Sequence, residues 1–194
     1  MEIVEMVLSG KVGKAIASEL EKQGIKSAGI SGKDGKMLKV KKMTPGGKDI
    51  GLVGEVTSVD TTLIKTLVDN DFVPVISSIG VDENGVTYNI NADYAAVAVA
   101  GALSAEKLVF LTDVEGVMLD INDPYSLISR IGSGDIKAMI DEGTITGGMF
   151  PKVTCCLVSV AQGVTHVHIL AGRVYHCFSL VIFTYAGIGP MILT

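Results

Sequence analysis

Three short segments carry the residue types that chemistry on a small polar molecule needs: Asn89-Ile-Asn-Ala-Asp93, Leu111-Thr-Asp-Val-Glu-Gly116 and Gly147-Gly-Met-Phe-Pro-Lys152. In an extended stretch Asn89 and Asn91 face the same way, because side chains alternate. Asn89 can then bind a carboxylate or amide, and Asp93 can orient other polar groups. The same residues also admit a local reading, in which Asn91 or Asp93 caps the alanine-rich stretch that follows. Thr112 and Asp113 end an apolar run and precede Gly116. In open α/β sheets ligands collect at the carboxyl ends of strands, so Asp113 is placed to face a nucleotide. Taken alone, a turn aspartate bonding to its own backbone is the simpler reading.

Lys152 is the sharpest case. Pro151 suits the first turn of a helix, which puts the Lys152 ammonium at the positive end of the helix dipole. A cation there is disfavoured by roughly 0.3–1 kcal/mol unless an anion is present. Gly147 and Gly148 let the backbone approach a ligand closely, and a phosphate would satisfy both the exposed N–H groups and the lysine. The alternative is a lysine whose long stem carries its charge out to water. Read together, the three segments point to a kinase that acts on a small molecule.

These segments need elements to position them. Ile3, Val4, Val7, Leu8, Ile16 and Leu20 give residues 2–23 a helical spacing, expected to break near Gly10 and Gly13, with no capping residue in front. Strands are expected at Ser27–Ser31, Met37–Val40, Leu52–Val59, Phe72–Ile76, Lys107–Leu111 and Val167–Leu170. Helices are expected at Thr61–Asp69, Ala92–Leu103, Asp135–Glu142 and Met149–Gln162. Alternation of the two with short connections predicts an α/β layered fold with a mostly parallel sheet, and a lobe boundary near residue 105.

The chain has 194 residues, 48% of them apolar, and a net charge of −5. That suffices for one substantial core or two small lobes. The acidic balance argues against nucleic acid or an anionic membrane as partner, and no apolar run approaches the ~20 residues of a membrane helix. Lys33, Lys36, Lys39, Lys41 and Lys42 cluster, and read as a solvated hairpin. Cys155, Cys156 and Cys177 form no CxxC pair, so neither a disulfide framework nor a zinc signature is present and reduced packing cysteines are expected. His166 and His168 share a strand face. A third metal ligand at sensible spacing is missing, and both are expected near solvent.

The six blocks Met1–Leu8, Ile30–Gly35, Gly51–Val56, Asn89–Asp93, Leu111–Gly116 and Gly147–Val153 resemble, in this order, the N-acetylglutamate kinases of the amino-acid kinase family. The likeness covers nearly the whole chain. It implies a three-layer αβα sandwich with a mostly parallel central sheet, with 1–105 as a partial amino-acid-substrate lobe and 106–194 as an ATP-binding lobe. It implies ATP- and magnesium-dependent phosphorylation of the side-chain carboxylate of N-acetyl-L-glutamate, in arginine biosynthesis. By position, Asn89 resembles the substrate-binding asparagine, with Asn91 beside it. Asp93 resembles the aspartate that orients catalytic lysines, and Lys152 the lysine that stabilises transition-state charge. Asp113, Val114, Glu115, Gly116, Val117, Met118, Thr144, Ile145, Thr146, Gly148 and Met149 fall where the family binds ATP. A homo-oligomer, a P-II-type signalling partner and a cytoplasmic location (plastid in a plant or alga) are implied in the same way.

The resemblance also has departures. The family's N-terminal region has no counterpart here; it holds the first strands, a glycine-rich phosphate loop, a second catalytic lysine, another glycine pair and a substrate-binding arginine. Losing one donor aimed at developing charge commonly costs about 10²–10³ in rate, so this chain by itself is expected to have no useful kinase activity and to expose apolar surface. Ala171, Val181, Tyr185, Ala186 and Pro190 stand where the family usually has acidic or polar residues, which predicts weakened arginine sensing. The competing reading is a non-catalytic nucleotide-binding relative that acts as an interaction or regulatory protein.

Overall fold

The computed structural model describes residues 1–112, 130–143, 149–173, 179, 181 and 191–193. The chain divides into two compact units, Met1–Ala102 and Leu103–Thr194. The candidate nucleotide residues 113–118, 144–146 and 148 lie outside the described residues, as do Cys177, Tyr185, Ala186 and Pro190.

In the first unit, α1 (Glu2–Glu5), a π-helical segment (Met6–Val12) and α2 (Gly13–Lys22) follow one another without interruption. The expected break near Gly10 and Gly13 is thus replaced by a widened turn. The Gly13 N–H bonds the Leu8 carbonyl five residues back, and the Ser77 hydroxyl donates to that same carbonyl at 3.0 Å. A Cβ on Gly13 would lie 3.1 Å from both the Leu8 carbonyl oxygen and Ser77 Oγ, so glycine is what lets the strand end come this close. The buried Ser27 hydroxyl ties the next strand to α2 through the Ala17 carbonyl at 2.7 Å. Ile3, Met6, Val7, Val12 and Ile16 leave an apolar helix face exposed.

β1 (Ser27–Ser31) pairs in parallel with β4 (Val73–Ser77), with Ser27 opposite Val73. A parallel pair needs a long crossover, and here it contains β2 (Leu38–Lys42), β3 (Gly54–Val59) and α3 (Thr62–Val68). A second sheet runs β3-β2-β5-β6, where β5 is Ile79–Val81 and β6 is Thr87–Asn89. An isolated bridge between Val53 and Asn89, with the Asn89 N–H donating to the Leu52 carbonyl at 2.9 Å, joins its two edges. Leu38, Val40, Tyr88, Ile90 and Ala95 form the core inside this curl, packed by Val56, Val59 and Val99. Ala95 and Val99 come from α4 (Ala92–Ala102), whose small side chains let the helix lie close to the strands.

The second unit carries a sheet ordered β7-β9-β10-β8, built from β7 (Lys107–Thr112), β8 (Arg130–Gly132), β9 (His166–Ala171) and β10 (Met191–Leu193). β7 and β9 are parallel, from Lys107 opposite His166 to Thr112 opposite Ala171. Two helices accompany it, α5 (Ser133–Asp141) and α6 (Met149–Ala161). α6 buries Val153, Cys155, Cys156 and Ser159 on one side, and neither cysteine forms a disulfide with a described residue. Among the described residues, pairings β1–β4, β2–β5, β7–β9 and β8–β10 are parallel, against three antiparallel ones. The fold is therefore α/β with mostly parallel pairing. No described helix is long and apolar enough to cross a membrane.

Candidate active site

The junction of β6 and α4 gathers three of the candidate residues. The strand ends at Asn89, which lies opposite Ile79 across the antiparallel pair. Ile90 is 2% exposed and donates its N–H to the Ser78 carbonyl at 2.9 Å; this pins the chain just where it leaves the sheet. The half-buried Asn89 carboxamide makes no hydrogen bond to another described residue, so its donors and acceptor remain available.

Asn91 behaves differently. The alternation expected to align it with Asn89 stops at the strand end, and its Oδ1 accepts the N–H of Asp93 at 2.9 Å and of Tyr94 at 3.4 Å. The Asn91 carbonyl also accepts the Ala95 N–H at 3.0 Å. These are the bonds of an N-cap, so the local reading of Asn91 is realised. Asp93 is half-buried in the first turn of α4, where a carboxylate is favoured by the helix dipole.

Lys152 belongs to the second unit. It is the fourth residue of α6, directly after Pro151, and half-buried. Proline is tolerated in a first turn because its missing N–H would have no intrahelical partner there. The Thr154 hydroxyl returns to the Phe150 carbonyl at 2.8 Å, and the Val153 and Cys156 side chains anchor the helix in the core. Lys152 is thus held on a fixed turn. Met149 begins the helix. At the carboxyl end of the parallel pair, the Gly172 N–H donates to the Thr112 carbonyl at 2.8 Å, immediately before the position of Asp113.

One group departs from the expectation of a solvated side chain. His168 is 3% exposed, not near solvent, because β9 lies between β7 and β10 and pairs Val109 and Met191 on either side of it. Its imidazole is pushed down to about 4, first by burial and then by His166 and Lys107. The rings of His166 and His168 stack at 6.5 Å, and neither Nδ1 has a hydrogen-bond partner among the described residues. Among the described residues no group of three or more His, Cys, Asp or Glu side chains is arranged to hold a metal. The lysine cluster is exposed on and just before the β2–β3 pair, as expected of a solvated hairpin. Lys36, Lys39, Lys41 and Lys42 also line a groove of about 850 Å³. The spacing of the lysines was visible in sequence; the concavity arises from the Asp82–Asn84 turn and Tyr88, which only the β2–β5 pairing brings beside them.

The sequence pattern of the amino acid kinase family matches residues 1–171. The acetylglutamate kinase of Heliobacterium modesticaldum is 48% identical, over 100% of this chain and 68% of its own length. That of Synechocystis sp. is 48% identical, over 100% of this chain and 64% of its own. The chain therefore spans about two thirds of the length of these curated relatives. Among solved structures, the smu.665 protein of Streptococcus mutans UA159 superposes with a TM-score of 0.77 at 29% identity, over 97% of this chain and 69% of that one. The asparagine–aspartate junction and the lysine on its helix turn lie within this matched span, and the chain belongs to the amino acid kinase family.

Proposed function

We propose that this chain belongs to an acetylglutamate kinase, which transfers the γ-phosphoryl group of ATP to the side-chain carboxylate of N-acetyl-L-glutamate, an early step of arginine synthesis. The observation that carries this reading is the 48% identity to curated acetylglutamate kinases across the whole chain. The geometry supports it: Asn89 offers an uncommitted carboxamide at the end of a pinned strand, and Lys152 offers an ammonium on a rigid helix turn.

In the reaction a carboxylate oxygen of the substrate forms a bond to the γ-phosphorus as the bond to the β-phosphate oxygen breaks, leaving an acyl phosphate and ADP. Positioning and charge neutralisation carry such a transfer. Asn89 binds the substrate, Lys152 offsets charge on the moving phosphoryl group, and Asp93 orients cationic partners. Asn91 supports both Asn89 and Asp93 by fixing the junction between them. Asp113, Val114, Glu115, Gly116, Val117, Met118, Thr144, Ile145, Thr146, Gly148 and Met149 are our candidates for the nucleotide, in a second unit that serves as the ATP-binding lobe. Magnesium enters with the nucleotide, since in phosphoryl transfer it is held largely by phosphates and water. A homo-oligomer, a P-II-type partner and a cytoplasmic or plastid setting complete the reading. With apolar Val181 packed on Leu170, tight arginine binding is not expected, which calorimetry checks.

The test is an assay of ADP release with ATP, Mg²⁺ and N-acetyl-L-glutamate. It compares the chain alone with the chain joined at Met1 to the N-terminal region of the Heliobacterium relative. The expected result is substrate-dependent turnover in the joined form, lowered by about 10²–10³ in Lys152→Ala. A folded joined form that binds nucleotide but transfers nothing would overturn the reading and favour a non-catalytic relative.

A further inference from the structure

We propose that the groove on the lysine-bearing face of the first unit is a binding site for a small anion with two or more negative charges, of the phosphate or polycarboxylate kind. This does not rest on the kinase reading, since none of its residues is assigned a part in that reaction.

The groove encloses about 850 Å³, within the size range of small-molecule sites. Four lysines line it: Lys36, Lys39, Lys41 and Lys42. Lys41 is paired with Glu55 at 3.2 Å and Lys42 with Asp49 at 2.7 Å. Both pairs are exposed, and exposed pairs are weak enough for an incoming anion to displace. Lys36 and Lys39 make no ion pair with any described residue.

Opposing charges are few. Asp82 lines the groove, but its carboxylate is occupied: it accepts the Asn84 and Val86 N–H groups at 2.9 and 2.8 Å and the Tyr88 hydroxyl at 3.3 Å. Glu83 is the other carboxylate of the lining. Asp60 lies within electrostatic reach of Lys39, although its carboxyl is held low mainly by its hydrogen bonds from Thr62. The lining itself thus holds four lysines against two carboxylates, Asp82 and Glu83.

Backbone conformation adds a second, independent sign. Lys36 has φ +53°, a left-handed conformation that a non-glycine residue adopts at a cost and that clusters at ligand-binding positions. Glycine would sit there without strain. In its place stands a lysine that is one of the residues lining the groove.

The remaining donors set the ligand class. The Thr57 hydroxyl is spent on the Lys39 carbonyl at 3.1 Å, and the Tyr88 hydroxyl on Asp82. The Ser58 hydroxyl and Asn84 carboxamide also line the groove, but the charge that selects an anion comes from the lysine ammoniums, which act as compact point charges rather than as planar forks. Such a site selects charge density over shape, so phosphate and carboxylate oxygens both satisfy it.

The test is titration calorimetry of the full chain with inorganic diphosphate and, separately, with citrate, at low and at 0.3 M salt. We expect one saturable site for at least one probe, weakened by salt as screening shortens the reach of the charges. Binding of diphosphate alone assigns the site to phosphates, of citrate alone to carboxylates, and of both to charge density. Lys36→Gly combined with Lys39→Ala is expected to weaken binding about tenfold or more, the loss of two charge-assisted contacts. Lys36→Gly by itself is expected to raise or preserve the melting temperature while it weakens binding, which separates ligation from folding. Lys22→Ala, outside the groove, serves as control. Absence of saturable binding to either probe, or binding lowered as much by Lys22→Ala as by the groove variants, overturns the proposal.

Discussion

Asn91 Oδ1 accepts the backbone N–H of Asp93 at 2.9 Å, so one candidate site residue fixes the backbone of another. Removing an N-cap oxygen costs about 0.5–2 kcal/mol. Asn91→Ala is expected to lower the melting temperature accordingly, and Asn91→Asp to retain most of the cap. Asn89→Ala is expected to do the reverse: little change in stability, because its carboxamide bonds no described residue, and a weaker affinity for N-acetyl-L-glutamate. Thermal unfolding and substrate titration on both variants check the division of labour. Equal effects of the two substitutions on stability would contradict it.

Gly80 marks one of the tight points of the first-unit core. A Cβ there would lie 2.5 Å from Val40 Cγ1 and 2.8 Å from the Leu38 carbonyl oxygen. The first contact could be relieved by a rotamer change, but the second is backbone within a paired strand. Gly80→Ala is expected to destabilise by about 1–3 kcal/mol through overpacking. Gly10→Ala is the contrasting control. Nothing lies within 4 Å of a Cβ at that position, and alanine in a helical segment gains about 0.5–1 kcal/mol over glycine. Urea unfolding of the two variants should move the midpoint in opposite directions.

Local pattern made much of this legible. The β-branched and small residues of Ser27–Ser31, the alanines after Asn91 and the apolar run from Lys107 each announced their element to within a residue or two. β5 and β6 did not, since three residues are too few for alternation to register, and they exist through the Asn89–Ile79 pairing and the Val53 bridge. The burial of His168 was equally hidden, because it depends on β10, more than twenty residues further on in the chain. At the candidate site, the residue types were readable while their use was not. Asn91 and Asn89 look equivalent in sequence, and only the place where β6 stops makes one a cap and leaves the other's carboxamide without a hydrogen bond to a described residue.

The continuous N-terminal helix is another case in which a distant residue decides. Two glycines in a short span favour a break, yet the Leu8 carbonyl is shared by the Gly13 N–H and the Ser77 hydroxyl. Ser77 stands at the end of β4, sixty-nine residues away in sequence. Ser77→Ala removes one partner of that carbonyl and is expected to cost about 0.5–1.5 kcal/mol. It should also raise amide exchange within Met6–Val12 more than within α4. Uniform exchange across both helices would mean that the hydroxyl does not stabilise the widened turn.

His168 gives the fold an acid sensitivity whose sign follows from burial. Its folded-state pKa is about 4, against 6.5 for the unperturbed group. Above about pH 6.5 the imidazole is neutral in both states and contributes no pH dependence. Between 6.5 and 4 the unfolded chain binds a proton that the folded chain refuses, so stability falls as the solution is acidified. Below about 4 both states are protonated and the loss levels off. The melting temperature is therefore expected to fall by a few degrees between pH 7 and pH 5 on account of this group, at roughly 2–4 °C per kcal/mol for a chain of this size. His168→Leu removes both the titration and an Nδ1 that has no hydrogen-bond partner among the described residues. Replacing an unsatisfied buried polar group by an apolar one of similar size is close to neutral or stabilising, so the variant should melt no lower at pH 7.5 and show a shallower decline on acidification. Carboxylates elsewhere titrate in both proteins, and the difference between the two pH profiles isolates His168. Parallel profiles would mean that the imidazole is protonated in the folded state as readily as in the unfolded one.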